Sequence, residues 1–278
     1  MKNFLVPVDF SPNALRALKA AATLAKALGA RLFVLHAFQP FFSEGTLGGE
    51  SINAAADLED AFKADLRKYV DDLQKEGIAA EAVWAVGGVA EVVKDRIAEL
   101  KPEMVIVGRT GRGSFVDKLF GTSVTDIVKV SNVPVLVVPP QSDPVQFKEI
   151  VYATQLEYEE RSTIGKVMEL SRQLGGRLSF FKASALTQPN IQDDRQFIKE
   201  ITGSLGLRDE DFEISEAGSV PGGIVAYAEE VKADLLVVAS RSRGFLERLF
   251  IDPSVTSKLI VNTSVPLLIY HLENIGEA

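Results

Sequence analysis

The chain has 278 residues, 46% hydrophobic and 24% charged, with a net charge of -8, a pI near 5.0 and no cysteine. That length fits two domains with a true core, and the missing cysteines exclude disulfides, zinc fingers, iron–sulfur clusters and thiol catalysis. The acidic balance, without a dense Lys/Arg run, argues against nucleic acid and membrane partners. No apolar run reaches the ~20 residues of a membrane span, and a cytoplasmic location is expected.

"NFLVPVD" opens as a buried strand, with Pro7 near its end, where a missing N–H is tolerated. "SPNALRALKAAATLAKALG" is a helix, with Ser11 as N-cap, Pro12 at the first helical position and Gly29 just past its end. Its apolar positions Ala14, Leu15, Leu18, Ala21, Ala22, Ala25 and Leu28 form one stripe. "RLFVLHAF" is a second strand, followed by an unassigned apolar and Gly-rich stretch over 39–50. A charged helix follows over roughly 51–76, a solvated face with i,i+4 pairs. Then come "AAEAVWAV" (strand), "VAEVVKDRIAEL" (helix), "PEMVIVG" (strand), "GTSVTDIVKVS" (helix) and "PVLVV" (strand). Strands joined by helices predict an α/β fold, a parallel sheet covered on both faces.

The remainder repeats this unit. "KNFLVPVDF" and "KEIVYATQL" align at an offset of 146, as do "LGARLFVLHAF" and "LGGRLSFFKAS". "KPEMVIVGRT" meets "KADLLVVASR", and "NVPVLVV" meets "SVPLLIY". The polar, Pro-rich "PPQSDPVQ" separates the copies, giving expected domains of 1–141 and 146–278.

In open α/β sheets ligands bind at the carboxyl ends of strands, where the strand order reverses. With the order 3-2-1-4-5, "VPVDFS" (6–11) and "VGRTGRG" (107–113) flank that point. Gly108 and Gly111 allow backbone angles and close approaches that other residues do not. Gly121, Thr122 and Ser123 open a helix, where free amides and hydroxyls suit phosphate, and Arg109 and Arg112 can neutralise its charge. Asp9 is an acceptor for ribose or a metal, or else a cap of the following helix. No Walker-type loop or G-x-S-x-G elbow is present, and Asp9 is the one candidate general base.

The spacing G-x2-G-x9-G-[ST], met by Gly108, Gly111, Gly121 and Thr122, together with "VPVDFS" and "NVPVLVV", resembles the universal stress protein family. The resemblance implies two Rossmann-like domains with five-stranded sheets of order 3-2-1-4-5, and binding of ATP or ADP, with or without Mg2+. It would lay Pro7, Val8 and Asp9 along the adenosine, with Ala37 beside the base. Val107 and Gly108 would follow the nucleotide to its phosphates, held by Gly111, Gly121, Thr122 and Ser123. It also implies pairing of the last strands as an internal pseudo-dimer, with a homodimer as a further option. In the second copy Gln155 replaces Asp9, Ala153 Pro7, Ala239 Gly108 and Ser242 Gly111, and Ile251 and Asp252 stand near Gly121. One nucleotide per chain, in the first copy, is therefore expected. A slow ATPase and a nucleotide-free scaffold are the alternatives.

Overall fold

The computed structural model describes residues 1–39, 49–109, 117–142, 146–185, 193–241 and 253–272, apart from the side chains of 49–55, 117–122, 158, 241, 253 and 254. The chain divides into two compact units, Met1–Pro140 and Gln141–Ala278.

The first unit runs β1 (Lys2–Pro7), α1 (Pro12–Leu28), β2 (Ala30–Phe38), α2 (Gly49–Lys75), β3 (Ala80–Val86), α3 (Val89–Leu100), β4 (Met104–Gly108), α4 (Asp117–Val130) and β5 (Val135–Val138). Its strands pair in parallel in the order β3-β2-β1-β4-β5. Phe4, Leu5, Val6, Val105, Ile106 and the whole of β5 are buried, as a sheet covered on both faces requires. Ser11 caps α1, its hydroxyl accepting from Ala14 N at 3.2 Å, and Gly29 closes it at φ 64°. On α2, Glu59 and Lys63 form the expected i,i+4 pair at 2.6 Å.

The second unit runs β6 (Glu149–Ala153), α5 (Arg161–Leu174), β7 (Arg177–Ser184), α6 (Asp194–Leu205), β8 (Phe212–Glu216), α7 (Val220–Glu230), β9 (Leu235–Arg241), α8 (Pro253–Asn262) and β10 (Leu267–Leu272). Its parallel order, β8-β7-β6-β9-β10, is again 3-2-1-4-5. Backbone geometry repeats with the sequence. Phe10 (φ 63°) and Leu156 (φ 60°) both take the left-handed conformation in the turn after the first strand, as do Lys101 (φ 45°) and Lys232 (φ 54°) after the third long helix. Strain shared by both copies belongs to the turn rather than to a ligand.

Two local differences separate the copies. A short 3-10 turn (Tyr158–Glu160) precedes α5, which starts three residues later than α1 when the copies are aligned. The β6–β9 ladder runs from Ile150↔Leu235 through Ala153↔Val238, whereas β1 meets β4 only at Phe4↔Met104 and Leu5↔Val105. Pro7 stands where Ala153 stands in the second unit, and it has no N–H to extend the ladder. The hydrogen-bonded ladder between the central strands of the first unit therefore ends two residues sooner than that of the second.

Candidate functional site

A crevice lies at the carboxyl ends of β1 and β4, where the strand order reverses. Connections leave β1 toward β2 on one side and β4 toward β5 on the other. The crevice holds a cavity of about 160 Å³, lined by Pro7, Val8, Asp9, Ala37, Val107, Gly108 and Ser123 among the expected residues. Ala14, Leu35, His36, Val89, Val124 and Ile127 complete it. The walls are mostly apolar, with Asp9 the one carboxylate among them.

Asp9 is exposed, and its Oδ1 accepts from Ser11 N at 3.0 Å, so it orders the turn that presents the N-cap of α1. That bond uses one oxygen, and a carboxylate has lone pairs for further donors. Tyr69 is near enough to feel Asp9. Burial first, then the charges of Asp65 and Asp9, push its hydroxyl above the ordinary range.

His36 was not among the expected residues. It is buried, and its Nδ1 lies 2.8 Å from Val8 O. A carbonyl only accepts, so Nδ1 carries the proton. This bond and Val8 N donating to Leu35 O (2.8 Å) fix the backbone of Val8 at the cavity wall. The ring also packs 4.6 Å from Phe10, 5.2 Å from Phe62 and 5.3 Å from Trp84, tying the β1–α1 turn to α2 and β3. A single histidine ending a hydrophobic strand gives too little pattern to reveal that role.

Gly108 has a different reason than a special backbone angle. It is extended strand, registered with Val138, and it is not among the left-handed glycines. A Cβ there would lie 2.3 Å from Asn13 O and 2.6 Å from Asn13 C. Glycine lets the start of α1 lie against β4. Ala239 carries that methyl group in the second unit, and there the helix begins later.

The expectation that Gly121, Thr122 and Ser123 open a helix is corrected. α4 begins at Asp117, since "DKLF" contains no breaker and includes strong helix formers. The three residues lie past the first turn, and the free amides of this helix belong to residues before them. Ser123 still lines the cavity, and the side chains of Gly121 and Thr122 lie outside the described residues. Arg109 is buried and its N–H donates to Val138 O (2.9 Å), extending the sheet; it is not among the lining residues. Gly111, Arg112, Ser242, Ile251 and Asp252 lie outside the described residues. Among the described residues no three His, Asp or Glu side chains gather as a metal site, and no helix is long and apolar enough to cross a membrane.

The sequence model of the universal stress protein family matches residues 1–139 and 205–271. The chain belongs to the universal stress protein family. A universal stress protein A homologue from Coxiella burnetii is 29% identical over 140 residues, which is 49% of this chain and 95% of that protein. The fold is similar to that of a universal stress protein from Archaeoglobus fulgidus, at TM-score 0.73, 19% identity and 98% coverage of both chains. A putative universal stress protein from Pseudomonas aeruginosa superposes at TM-score 0.71 and 16% identity, covering 98% of this chain and 93% of that one. The family model thus matches nearly all of the first unit and residues 205–271 of the second, and the full-length likeness in fold is to chains of similar length.

Proposed function

We propose that the first unit binds ATP or ADP in the crevice between β1 and β4, one nucleotide per chain, and that binding rather than turnover is its function. The observation that carries this reading is the cavity itself. It gathers Pro7, Val8, Asp9, Ala37, Val107, Gly108 and Ser123 at the point where α/β sheets of this order hold ligands. About 160 Å³ is the size of a cavity that takes one aromatic ring system. It suits the base, in apolar walls that exclude water, with sugar and phosphates running outward.

Asp9, exposed at the rim, accepts from ribose hydroxyls, and the Ser123 hydroxyl donates to the sugar-phosphate end. Gly111, Gly121 and Thr122 complete that end. Glycine inside a helix costs roughly 0.5–1 kcal/mol relative to alanine, and close approach of a phosphate to Gly121 gives that glycine a purpose. Arg109, buried away from the lining, is left out of the assignment. Any Mg2+ would be held by phosphates and water, with Asp9 the only lining carboxylate among the described residues able to help. Among the described residues Asp9 is also the only lining carboxylate that could serve as a general base, and its bond to Ser11 N suits it better to positioning. The two domains, 1–141 and 146–278 by sequence, divide this work, the second carrying no nucleotide.

Titration calorimetry of the unmodified chain tests this. It should give one adenine nucleotide per chain, with affinity weakened at least about tenfold by Ala37→Leu, which overfills the base pocket. Absence of adenine nucleotide binding sinks the proposal, and two nucleotides per chain refutes the single site.

A further inference from the structure

The second unit's counterpart of the crevice contains a carboxylate supplied by its own chain. Glu160 is 1% exposed. Its Oε2 accepts from Thr154 Oγ1 (2.8 Å), Gln155 N (2.9 Å) and Glu157 N (3.2 Å), and its Oε1 accepts from Tyr152 OH (3.1 Å). Thr154 Oγ1 in turn accepts from Leu156 N at 2.8 Å, which leaves its hydrogen for Glu160. Two side-chain hydroxyls and two loop amides thus converge on one anion. Such a donor set is how a protein holds a bound carboxylate or phosphate oxygen.

The first unit locates this network. Aligned at the offset of 146, Tyr152 corresponds to Val6, Thr154 to Val8 and Glu160 to Ala14. The alignment is fixed at both ends by geometry, because Phe10 and Leu156 share one left-handed turn, and Gly29 and Gly175 another. Val8 and Ala14 line the first unit's cavity. Where the first unit has small apolar side chains and a cavity, the second has two hydroxyls and a carboxylate bonded to each other. Hydroxyl donors, acceptor and position change together.

We propose that Glu160 is a resident ligand of the second unit, an anion bound in cis in a site that accepts carboxylates, and that it bars nucleotide from that crevice. Its carboxylate takes the loop donors that an incoming anion would need, and its charge repels phosphate. Beside it the β6–β9 ladder continues to Ala153. The proposal deepens the single-site reading and rests on it only for the statement that nucleotide enters the first unit alone.

Chemical rescue tests it. Glu160→Ala strips the anion and leaves its donors, so its Tm should rise by about 2 °C or more in 100 mM sodium acetate over equal sodium chloride, by mass action on the folded state. The wild-type chain should show no such difference. Tyr152→Val, Thr154→Val and Glu160→Ala combined copy the first unit's residues, and this variant should fold and lose the response to acetate. Equal Tm of Glu160→Ala in acetate and chloride overturns the proposal. If Glu160→Ala does not fold in either salt, the triple variant decides, because its failure to fold overturns the proposal and its folding supports it. Nucleotide titration separates the two readings. Wild-type chain binding no nucleotide defeats the first-unit site while the acetate result stands, and wild-type chain binding two defeats the bar.

Discussion

Gly108→Ala should lower both stability and nucleotide affinity, because one methyl group forces the start of α1 away from β4. The added carbon would lie 2.3 Å from Asn13 O, 2.6 Å from Asn13 C and 3.0 Å from Ala14 N. All three are backbone atoms, so no rotamer relieves the contact. Carbon contacts settle near 3.5 Å, so the helix start must retreat by about 1 Å. Overpacking of this kind costs about 1–3 kcal/mol. At about 2–4 °C per kcal/mol for a unit of this size, Tm should fall by about 2–12 °C. Ala14 and the Asp9–Ser11 turn move with the helix, and both border the cavity. Thermal unfolding followed by far-ultraviolet circular dichroism, paired with titration calorimetry, measures both effects. A Tm within about 1 °C of wild type, below the roughly 2 °C that is the smallest shift such a cost allows, would refute the close-approach reasoning.

Two further predictions concern buried charge in the second unit. Burial, the largest influence, pushes the Glu160 carboxyl above its ordinary value of 4.5, with the bonds from Thr154, Glu157 and Gln155 opposing it. A raised value means that the folded state holds the proton more tightly than the unfolded chain. Stability attached to Glu160 should therefore decline as pH rises from 4.5 through the folded-state value, opposite in sign to an ordinary ion-paired carboxylate. Urea unfolding across that window should show this decline in wild type and its loss in Glu160→Gln; equal pH profiles would contradict it. Lys182 occupies the position that His36 holds in the first unit, and its Nζ lies 2.5 Å from Asp194 Oδ1, with side chains 6% and 13% exposed. Lys182→Met should cost about 3 kcal/mol by removing the cation from this buried pair, and Lys182→Met with Asp194→Leu should recover most of that. Equal destabilisation by the single and double variants would show that packing, not charge, governs the site.

The elements and their order were legible in the residues because their signals are local. Ser11, Pro12 and Gly29 bound α1 as their chemistry requires, and apolar strands read as buried ones. The repeat added long-range information, since "VPVDF" against "YATQL" already shows that the copies differ at this strand end. It carries one subtler signal as well. Ala14 belongs to the apolar stripe of α1, so the acidic residue aligned with it, Glu160, falls at a buried position.

By itself the sequence determined the fold class, the duplication and the strand ends that carry the candidate site, because periodicity, caps and spacing act between neighbours along the chain. Only the tertiary structure decided why Gly108 is glycine, where α4 begins, and that Glu160 lies inside rather than on a charged surface. Each turns on where atoms finally meet, whether across the chain or within one turn, and not on residue type alone. Asn13 against β4 sets the first, and the hydroxyls of β6 under the α5 turn set the last.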